Sequence, residues 1–367
     1  MTEQELSAYI QAIRPADEAA MEAARRRQAQ LAKPPGSLGQ LEEISIRLAG
    51  VTGQVCPAMG KCRVAVFAAD NGVVAEGVSC TPPAVTLQQA VNMTFRKTGM
   101  SAMAAAFGDD VSVVDVGIDG DVPPVGVLDR KVRRGTGDIA REDAMTRQQV
   151  LDAMAAGMEQ AARARADGVT ALGIGEMGIG NTTTSAAVLA ALTGADIEAV
   201  TGRGGGLTDE GFLRKKEVLR QALALHRPDG NDVIGLLAGV GGLDLAAMTG
   251  AFLGCAHERV PAAVDGFISI AAALCAVRLC PAVRDVLFLS HDSYEVGYRI
   301  AAEALGLQPC LRLGMRLGEG SGCPLLFRVL EGACGVMRGM ATFDEASIED
   351  SYLDEIRAVD AFTVEGA

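Results

Sequence analysis

From residue 63 onward the chain alternates between two textures. Short continuous apolar runs, "RVAVFAA", "VSVVDVGI", "VTALGIG", "DVIGLLAGV", "VPAAVDG" and "DVLFLS", are separated by longer Ala-rich stretches of helical character. Apolar runs without polar alternation predict strands buried on both faces, and their alternation with helices predicts a parallel sheet covered on both sides. The expectation is a doubly wound, Rossmann-like α/β domain over residues 61–312. The first sixty residues read as helices instead. Thr2 with Glu5 makes a capping-box pattern. "PADEAAMEAARRRQAQLAK" predicts a second helix opening at Pro15 and stopped by "KPPG", and "LEEISIRLAG" predicts a third. Past residue 312, "PLLFRVLEGACGVMRGMATF" and "SIEDSYLDEIRAV" return to helical patterns. Residues 1–60 and the helices of 313–367 are expected to pack together as a second, small helical domain.

Composition sharpens this picture. Hydrophobic residues make up 49% of the 367 while aromatics are only 4%, so the core must be built from Ala, Val, Leu and Ile. With 44 glycines, tight loops against a ligand or closely packed helices are expected. The formal net charge of −13 leaves no basic stripe for nucleic acid, although a small anionic substrate fits wherever positive charge is focused locally. No uninterrupted apolar stretch of about 18 residues occurs, so no membrane span is expected. The opening "MTEQELSAYI" is polar and does not read as a signal peptide. Nine scattered cysteines, with no C-x-x-C pair and no His cluster, read as free and mostly buried thiols of a cytoplasmic protein without a metal site.

The chemistry collects after the predicted strands. Asp70-Asn71-Gly72, "DVGIDG", "GEMGIGNTTT", Asp265-Gly266 and His291-Asp292-Ser293 all fall at strand C-terminal ends, the edge where open α/β sheets take ligands. In "GEMGIGNTTT", Gly178 and Gly180 let the backbone approach a ligand, and Asn181 and Thr182 are suitable N-caps for the following helix. A helix N-terminus suits a phosphate, yet the same residues also make a plain strand-to-helix turn. The loop is neither a Walker A sequence nor a dinucleotide fingerprint. "GRGGGL" at 202–207 adds a second flexible segment, followed by Lys215 and Lys216, whose ordinary reading is a solvated helix face; for Lys216 that reading is preferred. In "RLGEGSG", residues 316–322, Glu319 lies between two glycines, either in a simple turn or as a carboxylate facing a ligand.

The segments "KPPGSLGQLEE", "DNGVVAEGVS", "PAVTLQQAVNM", "GTGDIAREDAMTR", "GIGEMGIGNTTTSAAVLAAL", "TGRGGGL", "VGGLDLAAMTGAFLGCA", "VDGFIS" and "RLGEGSG" resemble, in order and over nearly the whole chain, the nicotinate-nucleotide–dimethylbenzimidazole phosphoribosyltransferase family. The resemblance implies transfer of ribosyl phosphate from nicotinate mononucleotide to a benzimidazole-type base, with anomeric inversion, no metal or cofactor, and a homodimer. It places Glu319 as the base that takes the proton from the incoming ring. It places Glu176 beside the ribose phosphate, Lys215 on the phosphate, and Gly178, Gly180, Asn181 and Gly204 around them. Thr81, Gln89 and Leu317 are implied to form the slot for the base. Asp265 and Ser293 lie on adjacent strand-end loops, where a turn or capping role competes with a substrate contact. The chain departs from the usual pattern at Asn71, where a histidine is common, at Thr81, where a larger residue is common, and in "SHDSYEVGY". Two other readings stand beside this one: a pyridine-nucleotide glycosidase or transferase using the same phosphate loop, and a non-catalytic nucleotide or base sensor.

Overall fold

The computed structural model describes residues 1–123 and 125–355. Among them, one parallel sheet is built from β1 (Cys62–Ala69), β2 (Asp110–Gly117), β3 (Val127–Asp129), β4 (Ala171–Met177), β5 (Ala262–Val264) and β6 (Leu287–Leu289). Their spatial order is β3-β2-β1-β4-β5-β6. The order reverses between β1 and β4, so the loops after these two strands leave in opposite directions and open a crevice between them. The β1–β4 register, from Cys62↔Ala171 to Ala68↔Met177, brings Asp70 alongside the Gly178 loop. All of β4, and all of β1 except Arg63, is buried, which is why these runs carry no polar alternation.

Some expectations need correction. "DVIGLLAGV" is not a strand but the helix Val233–Val240, with the Asp232 side chain accepting from the Gly235 N–H at 3.0 Å. A short apolar run buried all round satisfies either geometry, and here the Asp cap and the glycine pair at 241–242 select a helix. The second helix opens at Glu18 under an Asp17 cap rather than at Pro15. β3, three residues at the sheet edge, is too short to show in the pattern. Within "SIEDSYLDEIRAV", Ser351–Leu353 forms a 3-10 turn, and residues 356–359 lie outside the described residues. The Thr2–Glu5 capping box is present.

Several glycines serve helix packing. Arg147–Ala166 and Leu243–Glu258 touch backbone to backbone: a Cβ on Gly157 would lie 1.8 Å from the Ala247 carbonyl oxygen, and one on Gly250 would lie 2.0 Å from that of Met154. Helices Glu18–Gln30, Gln40–Thr52 and Cys323–Gly339 enclose a separate apolar cluster of Ala24, Leu31, Ile46, Ala49 and Met337. The "KPPGSLG" bend is pinned by Glu42, which pairs with the buried Lys33 ammonium at 2.6 Å and accepts from the Leu38 N–H at 3.0 Å. Helix Glu3–Ala12 instead sends Leu6 into the main core. The nine cysteines are free. Among the described residues no helix is long and apolar enough to cross a membrane.

Candidate active site

The strand ends meet in a cavity of about 250 Å³. Thr81, Gln89, Glu176, Gly178, Gly180, Asn181, Gly204, Asp265, Ser293, Leu317 and Glu319 all line it. Lys215 sits just beneath Gly204, where a Cβ would be 3.8 Å from its Nζ. Asn71 is not on the wall. It lies behind the Gly178–Asn181 loop, its amide donating to the Ile179 carbonyl at 3.4 Å.

The Glu319 loop has an uncommon backbone. Gly318, Glu319 and Gly320 adopt φ of +80°, +63° and +82° in succession, a left-handed run that two flanking glycines permit and that a β-carbon at either would strain. Space also forbids a side chain: a Cβ on Gly318 would meet Glu176 Oε1 at 2.3 Å, and one on Gly320 would meet Val64 Cγ1 at 2.7 Å. The loop is held from below by Asp265, whose carboxylate accepts from Gly320 N–H at 3.0 Å and Gly322 N–H at 2.6 Å. Asp265 thus caps a loop 55 residues away in sequence as well as bonding to the Gly266 backbone of its own turn, and it also lines the cavity. Glu319 itself is buried, and its Oε2 accepts from the Met100 N–H at 3.2 Å, at the start of helix Gly99–Phe107. Burial raises its carboxyl above the usual range, against hydrogen bonds from Thr98 and Met100 that lower it. A carboxylate so placed holds a proton more readily than an exposed one.

Glu176 stands beside it. Its Oε1 accepts from Glu319 N–H at 3.2 Å, and its Oε2 from the Asn181 amide at 2.5 Å. The same amide donates to Asp244 at 3.0 Å, so one side chain tethers two buried carboxyls. Asn181 is therefore not the helix cap that the pattern suggested. Gly180 holds that position at φ +93°, and no side chain caps helix Asn181–Thr193. The Asn181 and Thr183 N–H groups already donate to the Gly178 and Gly180 carbonyls at 3.1 and 2.9 Å, so what the helix start offers the cavity is its positive end, with no side chain over it.

Lys215 is not on a solvated face. It is fully buried, and Nζ donates to Thr182 Oγ1 at 2.8 Å and to the Gly202 carbonyl at 3.1 Å. Burial pushes it down to about 8, against the neighbouring Glu295 carboxylate, which raises it. Lys216, one residue on, points away to an ion pair with Glu198. Its neighbour's burial was legible: Lys215, Val218, Leu219 and Ala222 share one helix face at i, i+3, i+4, i+7. Asp244, Arg203, Glu295 and Arg316 were not singled out from the pattern. Asp244 in "GGLDLAAM" looks like an ordinary first-turn acid, and only the fold brings Asn181 to it.

Three buried carboxyls have a measurable consequence. Burial pushes Glu176 up to about 8, Asp244 to about 6 and Asp265 to about 7. Each keeps its proton in the folded state at pH values where the unfolded chain, with carboxyls near about 4, has released it. Their contribution to the stability of the ligand-free protein is therefore full below about pH 4 and is lost as pH rises toward about 8. Ion-paired carboxyls nearer the surface, such as the exposed Asp232 and the half-buried Glu159, are held low and act below this window. Tm is expected to fall between about pH 5 and about pH 8, and Glu176→Gln to flatten the fall. A Tm that rises over that range would contradict the assignment.

A family model described as phosphoribosyltransferase matches residues 13–348. The nicotinate-nucleotide–dimethylbenzimidazole phosphoribosyltransferase of Clostridium perfringens (strain 13 / Type A) is 46% identical over 341 residues, 93% of this chain and 94% of that protein. The enzyme of the same name from Geobacter metallireducens is 45% identical over 347 residues, 94% of this chain and 98% of that protein. A crystal structure of the Thermus thermophilus protein of that name is 44% identical, with a TM-score of 0.87 over 91% of this chain and 100% of that one.

Proposed function

This chain belongs to the nicotinate-nucleotide–dimethylbenzimidazole phosphoribosyltransferase family, and from that premise we propose that it moves the ribosyl phosphate of nicotinate mononucleotide to 5,6-dimethylbenzimidazole or a related lower-ligand base. The products are the α-ribazole phosphate and nicotinate, in assembly of the nucleotide loop of cobalamin-type cofactors. The observation that carries this reading is a buried carboxylate, Glu319, facing one cavity with an uncapped helix N-terminus and the buried ammonium of Lys215.

The phosphate sits against the first turn of Asn181–Thr193 and Lys215, and Gly178, Gly180 and Gly204 let the backbone close on it. One benzimidazole nitrogen attacks C1′ from the face opposite the pyridinium. The bond from C1′ to the pyridinium nitrogen breaks, its electron pair returns to that nitrogen, and nicotinate leaves without needing an acid. The newly bonded ring is then a cation, and its second nitrogen gives its proton to Glu319. Proton acceptance needs the ionised carboxylate, and burial brings its pKa closer to the working pH. Thr81, Gln89 and Leu317 form the slot for the base, and Ser293 lies on the neighbouring wall. Glu176, tethered by Asn181 and by the Glu319 backbone, keeps the carboxylate loop in register with the phosphate loop.

Nicotinate mononucleotide should be incubated with and without the benzimidazole and products identified by mass. Base-dependent ribazole phosphate is expected; ribose phosphate formed equally without the base would make the protein a glycosidase. Lys215→Ala is expected to raise KM for nicotinate mononucleotide roughly tenfold or more, since a charged contact contributes about 1.5–3 kcal/mol. The unphosphorylated riboside should lose little, and equal losses would remove Lys215 from the phosphate site.

The protein is further proposed to act as a cytoplasmic homodimer. Leu213, Tyr294, Leu313 and Leu317 are exposed, with Leu317 on the cavity wall, and supply an apolar rim that a second subunit would cover.

A further inference from the structure

Three cations stand at the cavity, and their engagements differ. Lys215 is buried against Thr182 and Gly202 on the phosphate side. Arg203 is held by its own loop: its guanidinium donates to the Leu207 carbonyl at 3.0 Å and to Asp209 at 2.5 Å, and lies over the Phe212 ring at 4.8 Å. Arg316 lines the cavity and is exposed; among the described residues its guanidinium makes no hydrogen bond and no ion pair within 4.0 Å, though it lies near enough to Glu295 to lower that carboxyl. It rests instead on the face of Tyr294, 5.5 Å from the ring centroid. That contact is itself anchored, because the Tyr294 N–H donates to the Met315 carbonyl at 3.1 Å. A ring face orients a planar guanidinium and leaves its N–H edge open for a bidentate carboxylate.

The remaining groups sharpen the question. Glu176, Asp265, Glu295 and Glu319 all line the same cavity. Nicotinate mononucleotide brings two anionic groups into this acidic surround, a phosphate and a ring carboxylate. The phosphate has Lys215 and a helix N-terminus. The ring carboxylate needs a cation of its own, and Arg316 lies three residues before Glu319 on the loop that addresses the reacting rings rather than the phosphate.

We propose that Arg316 binds the ring carboxylate of the pyridine nucleotide, and so selects nicotinate mononucleotide over the neutral nicotinamide mononucleotide. This rests on the reaction proposed above. When the glycosidic bond breaks, the same guanidinium holds the departing nicotinate while the ring nitrogen becomes neutral.

Calorimetric titration of the intact protein with both mononucleotides tests it. Arg316→Gln is expected to weaken nicotinate mononucleotide about tenfold, the scale of one partly solvated charged contact, and to leave nicotinamide mononucleotide within about twofold. Arg316→Lys, which keeps the charge but not the fork, should recover part of the preference. Equal weakening of both nucleotides would mean that Arg316 reads the phosphate or only shapes the loop, and would overturn the proposal, as would no change in either. The transferase reading fails separately: wild-type protein that binds nicotinate mononucleotide yet never transfers its ribosyl phosphate sinks the reaction while leaving the carboxylate contact to stand or fall on the titration.

Discussion

Glu319→Gln is expected to lower turnover by about 10²–10⁴-fold while both substrates still bind, because a positioned general base contributes on that scale. Glutamine keeps the size of the side chain and can still accept from the Met100 N–H. What it cannot do is take a proton from the second ring nitrogen of the new benzimidazolium. The pH profile provides an independent check. The active form is the carboxylate, and burial raises its pKa, so kcat should climb with pH along a limb lying above the usual carboxylate range. In Glu319→Gln that limb should vanish. A variant retaining more than about a tenth of wild-type turnover would remove Glu319 from the role.

Asp265→Asn is expected to cost turnover about 10²-fold although residue 265 transfers no proton, since misplacing a reacting group by about 1 Å has effects of that order. The Asp265 carboxylate receives two backbone N–H groups, from Gly320 and Gly322, one on each oxygen. An asparagine offers one acceptor and turns its NH₂ toward the other N–H, leaving buried donors face to face. The left-handed run at 318–320 then loses its anchor, and Glu319 leaves its place at the start of helix Gly99–Phe107. A double variant separates this from a direct role. If Asp265 acts through Glu319, then adding Asp265→Asn to Glu319→Gln should cost little more. Full additivity of the two losses would show that Asp265 works on its own.

The sequence carried the sheet where strands are long and doubly buried. β1 and β4 announce themselves because their runs are apolar throughout, apart from Arg63 in β1 and Glu176 near the end of β4. "DVIGLLAGV" has the same texture for a different reason, being a helix buried on every side, and apolar continuity alone cannot separate the two. The glycines around Glu319 were readable as a sharp bend, since consecutive left-handed residues need them. The tethers were not. Asp265 meets Gly320 and Gly322, and Asp244 meets Asn181, only through a sheet that joins segments 55 to 63 residues apart. Lys215 is intermediate: its burial follows from helix periodicity, but its partners Thr182 and Gly202 come from other loops.

The most direct measurement is the anomeric configuration of the product. Nicotinate mononucleotide and dimethylbenzimidazole should be turned over once by wild-type enzyme and the C1′ proton read by NMR, with released nicotinate quantified alongside. A single displacement with Glu319 on the incoming ring requires an α-ribazole phosphate and one nicotinate for each ribosyl group transferred. A β-configured product, or nicotinate released with ribose phosphate in place of the ribazole, would contradict it.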